Sequence, residues 1–330
     1  MLDSIRRGAK RVPGAIELVR KLRKGRERIA SEMSRFIERR LASEFWKSHR
    51  FDALPGHYAL GCHPQESYVV ATSDKMIGKR LYSRGAFDLQ KLERALEILR
   101  IEQPDAMPEV LLDVGANLGS ICIPAVKRGW VKRAIAFEPD AGNFRLLRIN
   151  VLLNAIEEGV ECHEVALGAA AGVATLAFNA DNHGDHRIVV GVLPGIGSRE
   201  VAVRTLDSYL PEAGRSTWMV WLDVQGFEPE VLAGSSRAIG AGWPIVMEFT
   251  PEDMIRRRTF GTLMDLIRRS PYTRFFDLDN PRAASTARPI ADLEQVAEEL
   301  RQRESFTDLL FMPDPARGGA QLISELPPAC

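Results

Sequence analysis

Apolar and polar residues alternate along the chain in two different patterns. Between residues 15 and 46, apolar residues recur every three or four positions with Arg and Lys between them. This spacing predicts an amphipathic helix, broken near Gly25. Residues 57–85 hold short β-like runs punctuated by Pro and Gly, which predict a hairpin. Residues 88–100 return to helical spacing, with Asp88 in the position of an N-cap.

The middle of the chain alternates short apolar runs with helix-like segments. The candidate strands are VLLDVG, AIAFEP, VECHEVAL, VWLDVQG and PIVMEFT, and FTDLLFMP adds a last one. This alternation predicts an α/β fold with a doubly wound, mostly parallel sheet covered by helices on both faces. We therefore expect four parts: a basic amphipathic helical extension at 1–50, a mixed lead-in at 51–100, the α/β domain at 101–315 and a tail at 316–330.

Charge and cysteine usage narrow the class of protein. The formal net charge is zero, but residues 1–50 hold fifteen Lys or Arg against six Asp or Glu. Such a basic helix can pack on its own domain, join two copies of the chain, or contact an anionic membrane surface. The four cysteines have no paired spacing, and no apolar run reaches membrane-spanning length. We expect a cytoplasmic protein.

The first strand of the predicted sheet ends in a glycine turn, where α/β folds bind ligands. The dinucleotide pattern G-x-G-x-x-G fails, because Asn117 and Ser120 stand where glycines belong, and no Lys follows Gly119 as a P-loop requires. The turn instead has Asp113 at the strand end and glycines at 115 and 119. Gly115 permits close approach of a ligand to the backbone, and Gly119 permits helix packing. Asp113 suits a cationic ligand group rather than a pyrophosphate.

The next strand also ends in an acid. Glu138 follows an apolar run 25 positions after Asp113, about the distance at which an acid accepts the ribose hydroxyls of a nucleotide. An acid that starts a helix before Pro139 is the alternative explanation. Together, the turn and the acid favour a ligand that contains adenosine.

Five motifs in order resemble the FkbM family of S-adenosylmethionine-dependent methyltransferases. They are DVGANLG, FEPDAGNFRLLRINVLLN, VALGAAAGVATL, RTLDSYL and WLDVQGFEPEVLAG. The resemblance covers roughly residues 83–311. It implies the Rossmann-like class I methyltransferase fold, with a seven-stranded sheet containing one antiparallel strand. It also implies methyl transfer from S-adenosylmethionine, usually to a hydroxyl of a small molecule or glycan.

The resemblance assigns roles to several residues. Its implied contacts to the methionine portion of the cofactor are Asp113, Gly115, Asn117 and Gly119. Glu138 would then bind the ribose, and the backbone near Val165 would border the adenine. The family usually has DVEG where this chain has Gln225 in DVQG, so any role of the missing Glu is in question.

The motif WLDVQGFEPEVLAG stands where the substrate-side chemistry is expected. Asp223 ends a strand and Glu228 follows one turn later. A carboxylate here can remove the proton of an acceptor hydroxyl, or both can hold a divalent cation that lowers the pKa of that hydroxyl. The alternatives are a turn-stabilising role for Asp223 and a solvated helix residue at 228. Glu248 lies at the end of the next strand. It either faces the same cleft or forms a structural ion pair.

The segment FNADNHGDHRIVV, residues 178–190, is polar and lies between strands. We expect a loop over the mouth of the site. His183 and His186 are candidates for a catalytic base or a ligand-binding residue, although loop histidines are more often solvated. Arg187 is a candidate for binding an anionic group of the substrate.

These observations leave three classes of function open. The first is an O-methyltransferase acting on a small-molecule, sugar or lipid-linked hydroxyl. The second is a non-catalytic S-adenosylmethionine-binding or assembly protein, for which Gln225 is the hint. The third is a nucleic-acid methyltransferase, which has least support because the strand ending at Asp223 lacks the N/D-P-P-Y/F sequence of amino-methylating enzymes.

Overall fold

The computed structural model describes residues 43–179, 182–189, 197–211, 216–280 and 286–314. The chain divides into two compact units, residues 1–53 and 54–330. Within the first unit, residues 43–51 are helical. The rest of the predicted basic helix and the predicted tail at 316–330 lie outside the described residues, so those two predictions stay predictions.

The main sheet has eight strands in the order β13–β12–β14–β11–β10–β3–β4–β5. The strands of this sheet are β3 (Val110–Val114), β4 (Arg133–Phe137), β5 (Val160–His163), β10 (Trp218–Leu222), β11 (Ile245–Phe249), β12 (Tyr272–Asp277), β13 (Arg288–Pro289) and β14 (Thr307–Pro313). The five strands from β11 to β5 are mutually parallel, and β14 runs antiparallel to both β11 and β12.

The α/β fold and the mostly parallel sheet are confirmed, but the expected count of seven strands was wrong. The two-residue strand β13 adds an eighth at the edge, antiparallel to β12. It carries Pro289, which lacks a backbone N–H and is therefore tolerated at a sheet edge. The sheet consequently contains two antiparallel strands, and the inner one, β14, matches the expectation.

The order of the strands fixes where a ligand can bind. From the central β3 the chain moves outward through β4 to β5, and it then returns to place β10 on the other side of β3. The direction of winding therefore reverses between β3 and β10, and their carboxyl ends form a crevice. All five residues of β3 and of β10 are buried, as expected for strands covered on both faces.

A second sheet was not predicted. It has four strands in the order β6–β9–β7–β8, which are β6 (Ala166–Leu167), β7 (Gly172–Ala177), β8 (Arg187–Val189) and β9 (Ser198–Arg204). In β9 only Val201 and Val203 are buried, so its pattern alternates with period two and lacks the continuous apolar run of the main strands. Part of the predicted loop at 178–190 is therefore strand β8.

Nine α-helices lie within residues 54–314 of the described structure. They are α1 (Ile77–Arg84), α2 (Leu89–Glu102), α3 (Cys122–Lys127), α4 (Ala141–Leu153), α5 (Glu228–Ala233), α6 (Ser236–Gly240), α7 (Pro251–Arg256), α8 (Phe260–Arg269) and α9 (Leu293–Gln302). No helix among the described residues is both long enough and apolar enough to cross a membrane.

The residues that precede α2 and α4 differ in whether their side chains cap the helix. Asp88 does precede α2, but it adopts a left-handed conformation with φ 53° and its side chain makes no capping hydrogen bond. Asp88 therefore occupies the N-cap position as predicted, but its side chain does not cap the helix. The cap before α4 is complete, because Asp140 Oδ1 accepts a hydrogen bond from the backbone N–H of Asn143 at 2.8 Å.

The predicted hairpin is confirmed as β1 (Tyr58–Cys62) paired with β2 (Ser67–Ala71). A buried amide on α4 attaches it to the domain. Asn150 Oδ1 accepts from Val69 N at 2.7 Å, and its Nδ2 donates to the carbonyls of Val69 at 3.2 Å and Leu118 at 3.0 Å. One side chain thus joins the hairpin, α4 and the glycine turn.

We expect Asn150→Ala to destabilise the domain by about 2–4 kcal/mol, because it leaves three buried backbone groups without partners. Urea unfolding of the full chain measures this free energy. The matched control is Arg145→Ala, an exposed position on the same helix, which should change the free energy by less than about 0.5 kcal/mol. Equal effects of the two substitutions would contradict the attachment role of Asn150.

Candidate functional site

A cavity of about 550 Å³ lies at the carboxyl ends of β3, β4 and β10 and beside the second sheet. Seven of the sequence-predicted site residues line it: Gly115, Asn117, Glu138, Val165, His183, His186 and Asp223. The other five, Asp113, Gly119, Arg187, Glu228 and Glu248, do not line it. The topology therefore brings together most of the candidate residues at the crevice where α/β sheets bind ligands.

The glycine turn after β3 is shaped by its protein neighbours. Gly115 has φ +85°, and a β-carbon there would lie 1.8 Å from the carbonyl oxygen of Asp223. Gly119 has φ +86°, and a β-carbon there would lie 2.5 Å from Ile123 Cδ1. Both positions thus require glycine for packing. The contact of Gly115 with a ligand stays a prediction, because the neighbouring backbone alone accounts for this glycine.

Asp113 lies behind the turn. It is buried, and its Oδ2 accepts a hydrogen bond from the backbone N–H of Cys122 at 3.0 Å. Burial raises the pKa of this carboxyl to about 7. The side chain fixes the turn to the start of α3, so a direct contact with a ligand ammonium has no support from its position.

Glu138 is the acid that the cavity presents. Its side chain is only 5% exposed, and each oxygen accepts one backbone hydrogen bond: Oε2 from Asn117 N at 2.9 Å and Oε1 from Asp140 N at 2.8 Å. No Lys or Arg in the described part of the chain forms an ion pair with it. Burial raises its pKa to about 8. A carboxylate oxygen has more than one lone-pair site, so Glu138 can still accept hydrogen bonds from a ligand.

The opposite side of the cavity is formed by the turn after β10. Gln225 Nε2 donates to Asp223 Oδ1 at 2.6 Å and to Glu248 Oε2 at 3.1 Å. Asp223 and Gln225 line the cavity, whereas Glu248 lies at the end of β11 and is 8% exposed. Burial raises the pKa of Asp223 to about 6 and that of Glu248 well above its usual range.

The comparisons with known proteins bear on this arrangement. Residues 113–272 match the model of the FkbM methyltransferase domain. We refer to this matched segment as the FkbM domain. It begins at Asp113 and includes Glu138, Asp223 and Glu248. No curated protein matched the chain in the sequence comparison.

Solved structures resemble the FkbM domain only distantly. The FkbM methyltransferase from Methylobacillus flagellatus is 17% identical, with a TM-score of 0.39 over 62% of this chain, and the chain spans 43% of that protein. TYW2 from P. horikoshii, solved in complex with MeSAdo, is 12% identical. Its TM-score is 0.36, and the match covers 77% of this chain and 70% of that protein. Geranyl diphosphate methyltransferase, solved in complex with GPP and sinefungin, is 15% identical. Its TM-score is 0.38, and the match covers 81% of this chain and 93% of that protein.

Glu228 of the FkbM domain does not line the cavity. It is completely buried, and its Oε1 accepts hydrogen bonds from the backbone N–H groups of Val224 at 3.0 Å and Gly226 at 3.2 Å. It therefore holds the turn that carries Asp223. The predicted sharing of a cation by Asp223 and Glu228 has no support in this geometry. The described residues contain no group of three or more His, Cys, Asp or Glu side chains arranged to hold a metal ion.

The segment 182–189 forms one wall of the cavity. Its anchor is the carbonyl of His183, which accepts from Asn117 Nδ2 at 3.2 Å and from Asn143 Nδ2 at 3.0 Å. Asn143 lines the cavity but was not predicted from the sequence. Its position three residues after the Asp140 cap is the only sequence signal that marks it.

The histidines and the arginine of this segment are already engaged. His186 Nδ1 accepts a hydrogen bond from the backbone N–H of Asn179 at 3.1 Å, and burial lowers the pKa of its ring. The neutral ring therefore carries its proton on Nε2, which makes it a donor rather than a base. Arg187 pairs with Asp185 at 2.6 Å and Asp253 at 2.7 Å, so its charge is compensated within the protein.

A cluster of acids extends behind the cavity, and only Glu248 of this cluster was predicted as a site residue. Glu248 pairs in register with Asp308 on the antiparallel strand β14. Lys91 of α2 contacts Asp308, Asp279 at 3.2 Å and Asp88 at 3.5 Å. Lys91 thus forms ion pairs with three carboxylates, and Glu248 is not one of them.

The pKa of Glu228 predicts a pH dependence of stability. Burial raises this pKa to about 8, so the folded state holds the proton more tightly than the unfolded chain, whose Glu titrates near 4.5. The contribution is therefore fully present below about pH 4.5 and is lost as the pH rises to about 8. We expect the unfolding free energy of Glu228→Gln to fall less steeply over this range than that of the parent, by up to about 1.4 kcal/mol per pH unit.

Urea unfolding at a series of pH values measures the two slopes. The control is Glu157→Gln, an exposed acid, whose curve should run parallel to that of the parent. A Glu228→Gln curve that also ran parallel to the parent would show that this carboxyl ionises normally in the folded protein.

Proposed function

We propose that the FkbM domain binds S-adenosylmethionine in the cavity and methylates a hydroxyl of a small molecule, sugar or lipid-linked glycan. The observation that carries the proposal is the pair of carboxylates on opposite sides of one cavity. Glu138 offers acceptors to a nucleoside, and Asp223 offers a base. Neither has a cationic partner among the described residues, so both retain acceptor capacity for a ligand.

The residues present fit S-adenosylmethionine. Glu138 would accept the ribose hydroxyls, Val165 would border the adenine, and the turn at Gly115 and Asn117 would receive the methionine portion. When bound, the cofactor supplies a methyl group on a positively charged sulfur.

Asp223 would accept the proton that the acceptor hydroxyl loses as its oxygen takes the methyl group. The products are then a methyl ether, S-adenosylhomocysteine and a protonated Asp223. A pKa of about 6 leaves this carboxyl mostly ionised at pH 7 while making it more basic than an ordinary Asp. A general base is most efficient when its pKa lies near the operating pH. Most of the remaining rate enhancement would come from positioning the acceptor oxygen in line with the methyl group.

The two alternatives are less well supported. A non-catalytic binding protein was suggested by Gln225, but this side chain donates a hydrogen bond to Asp223 and leaves the carboxylate on the cavity wall. A nucleic-acid methyltransferase would need aromatic rings and basic side chains around the site. Phe137 and Phe227 do line the cavity, but so do the acids Glu138 and Asp223, and no Lys or Arg of the described residues does. Association of two copies or contact with an anionic membrane through residues 1–50 stays a prediction.

The cofactor assignment is tested by Glu138→Ala. Glu138 would form two hydrogen bonds to the ribose, each worth about 0.5–1.5 kcal/mol, so we expect the affinity for S-adenosylmethionine to fall roughly tenfold. Isothermal titration calorimetry measures it, with the exposed Glu158→Gln as a control that binds like the parent. A circular dichroism melt confirms that the variant is folded. Unchanged affinity in a folded Glu138→Ala variant would remove the assignment.

The catalytic assignment is tested by Asp223→Asn, which preserves shape and removes the charge. We expect the methyl-transfer rate to fall by roughly 10²–10⁴, the usual contribution of a general base, with cofactor affinity within a few-fold of the parent. Raising the pH should partly restore the rate as the acceptor hydroxyl ionises unaided. The acceptor is first found as a compound that gains one methyl group by mass spectrometry of an extract treated with the protein. Transfer at the parental rate by Asp223→Asn would make Asp223 a turn residue.

A further inference from the structure

Gln225 occupies an unusual position between two acids. Its amide nitrogen carries two hydrogens, and it donates to Asp223 Oδ1 at 2.6 Å and to Glu248 Oε2 at 3.1 Å. Each hydrogen can serve one carboxylate. No Lys or Arg of the described residues forms an ion pair with either acid. A single neutral amide therefore joins two buried acids that have no ion-pair partner among the described residues.

The direction of the amide is set by its neighbours. If the amide were turned around, its carbonyl oxygen would face the ionised Asp223, which is repulsive because both groups would be acceptors. The backbone also limits movement, since Gln225 has φ 56° and Gly226 has φ +89°. Glu228 holds the N–H groups on either side of Gln225. The amide nitrogen is thus fixed between the acids by the turn that carries it.

Two carboxylates at this separation would otherwise favour a cation. Hard divalent cations bind carboxylate oxygens at about 2.0–2.6 Å and need further oxygen ligands around them. The nitrogen of Gln225 lies between the two acids, 2.6 Å from Asp223 Oδ1 and 3.1 Å from Glu248 Oε2, and it presents hydrogens rather than lone pairs. Binding an ion would require the amide to turn around or leave.

We propose that Gln225 takes the place of a divalent cation between Asp223 and Glu248, and that the residue at position 225 determines whether the site binds such a cation. A neutral donor keeps the two acids together and orients Asp223 toward the cavity. A carboxylate at position 225 would reverse this arrangement, because three acids would then surround one point and bind a cation. The role of Asp223 as a base rests on the proposed function, but the metal response of position 225 does not require methyl transfer.

Thermal unfolding of the full chain tests the proposal, with Mn²⁺ or Mg²⁺ as the probe and EDTA as the reference. In Gln225→Glu we expect the melting temperature to fall in EDTA and to rise with millimolar Mn²⁺ by roughly 3 °C or more, because an ion bound only by the folded state stabilises it. The matched control is Gln225→Met, which removes the donor without adding a charge. It should melt below the parent and show no response to the ion, as should the parent itself.

Two results would overturn the proposal. One is a Gln225→Glu variant that melts cooperatively yet shows no shift with either ion. The other is a parent protein that Mn²⁺ stabilises through an effect that Glu248→Gln abolishes, because the amide would then not exclude the ion. The second comparison uses the parent, so the proposal remains testable if Gln225→Glu does not fold. Neither measurement uses a methyl acceptor, so failure of the proposed function leaves both results interpretable.

Discussion

The close approach of two backbone turns, one after β3 and one after β10, holds the candidate site together. The space between Gly115 and the carbonyl of Asp223 admits no β-carbon. This contact places the glycine turn directly against the turn that carries Asp223 and Gln225, and both turns line one cavity. Parallel pairing of β3 with β10 positions their ends, and the missing side chain at 115 lets the two turns meet. The geometry of every residue proposed to touch a ligand depends on this contact.

The domain keeps several carboxyl groups buried without a cation, at a cost to its stability. Burial raises the pKa values of Asp113, Glu138 and Glu228 to about 7, 8 and 8. Backbone N–H groups offset part of that cost by donating to each of them. Asp113 and Glu228 use this arrangement to fix turns, whereas Glu138 keeps acceptor capacity at the cavity. Proteins commonly retain such locally unfavourable features at functional sites.

The strands that form the floor of the site could be predicted because they are buried on both faces and form continuous apolar runs. The acids that end β3, β4, β10 and β11 were found for the same reason. The second sheet was missed because β9 alternates buried and exposed residues, and because half-buried strands resemble polar loops in composition. The strand count was wrong by the two-residue β13, which has no pattern of its own.

The directions of side chains could not be predicted from local sequence. Glu228 was expected to face the substrate, but its carboxyl points into its own turn, where two backbone N–H groups are available. Lys91 and Asp308 lie 217 positions apart in the sequence and meet only through the antiparallel insertion of β14. Gln225 was noted as a departure from the family pattern. Its role between Asp223 and Glu248 became visible only once the ends of β10 and β11 were placed side by side.

A crystal structure of the full chain with S-adenosylhomocysteine would show whether Glu138 and the glycine turn form a nucleoside site. We expect both ribose hydroxyls within about 2.6–3.2 Å of the Glu138 carboxyl oxygens. We also expect the adenine beside Val165 and the homocysteine sulfur on the Asp223 side of the cavity. A ligand bound elsewhere, or a ribose turned away from Glu138, would rule out this nucleoside site.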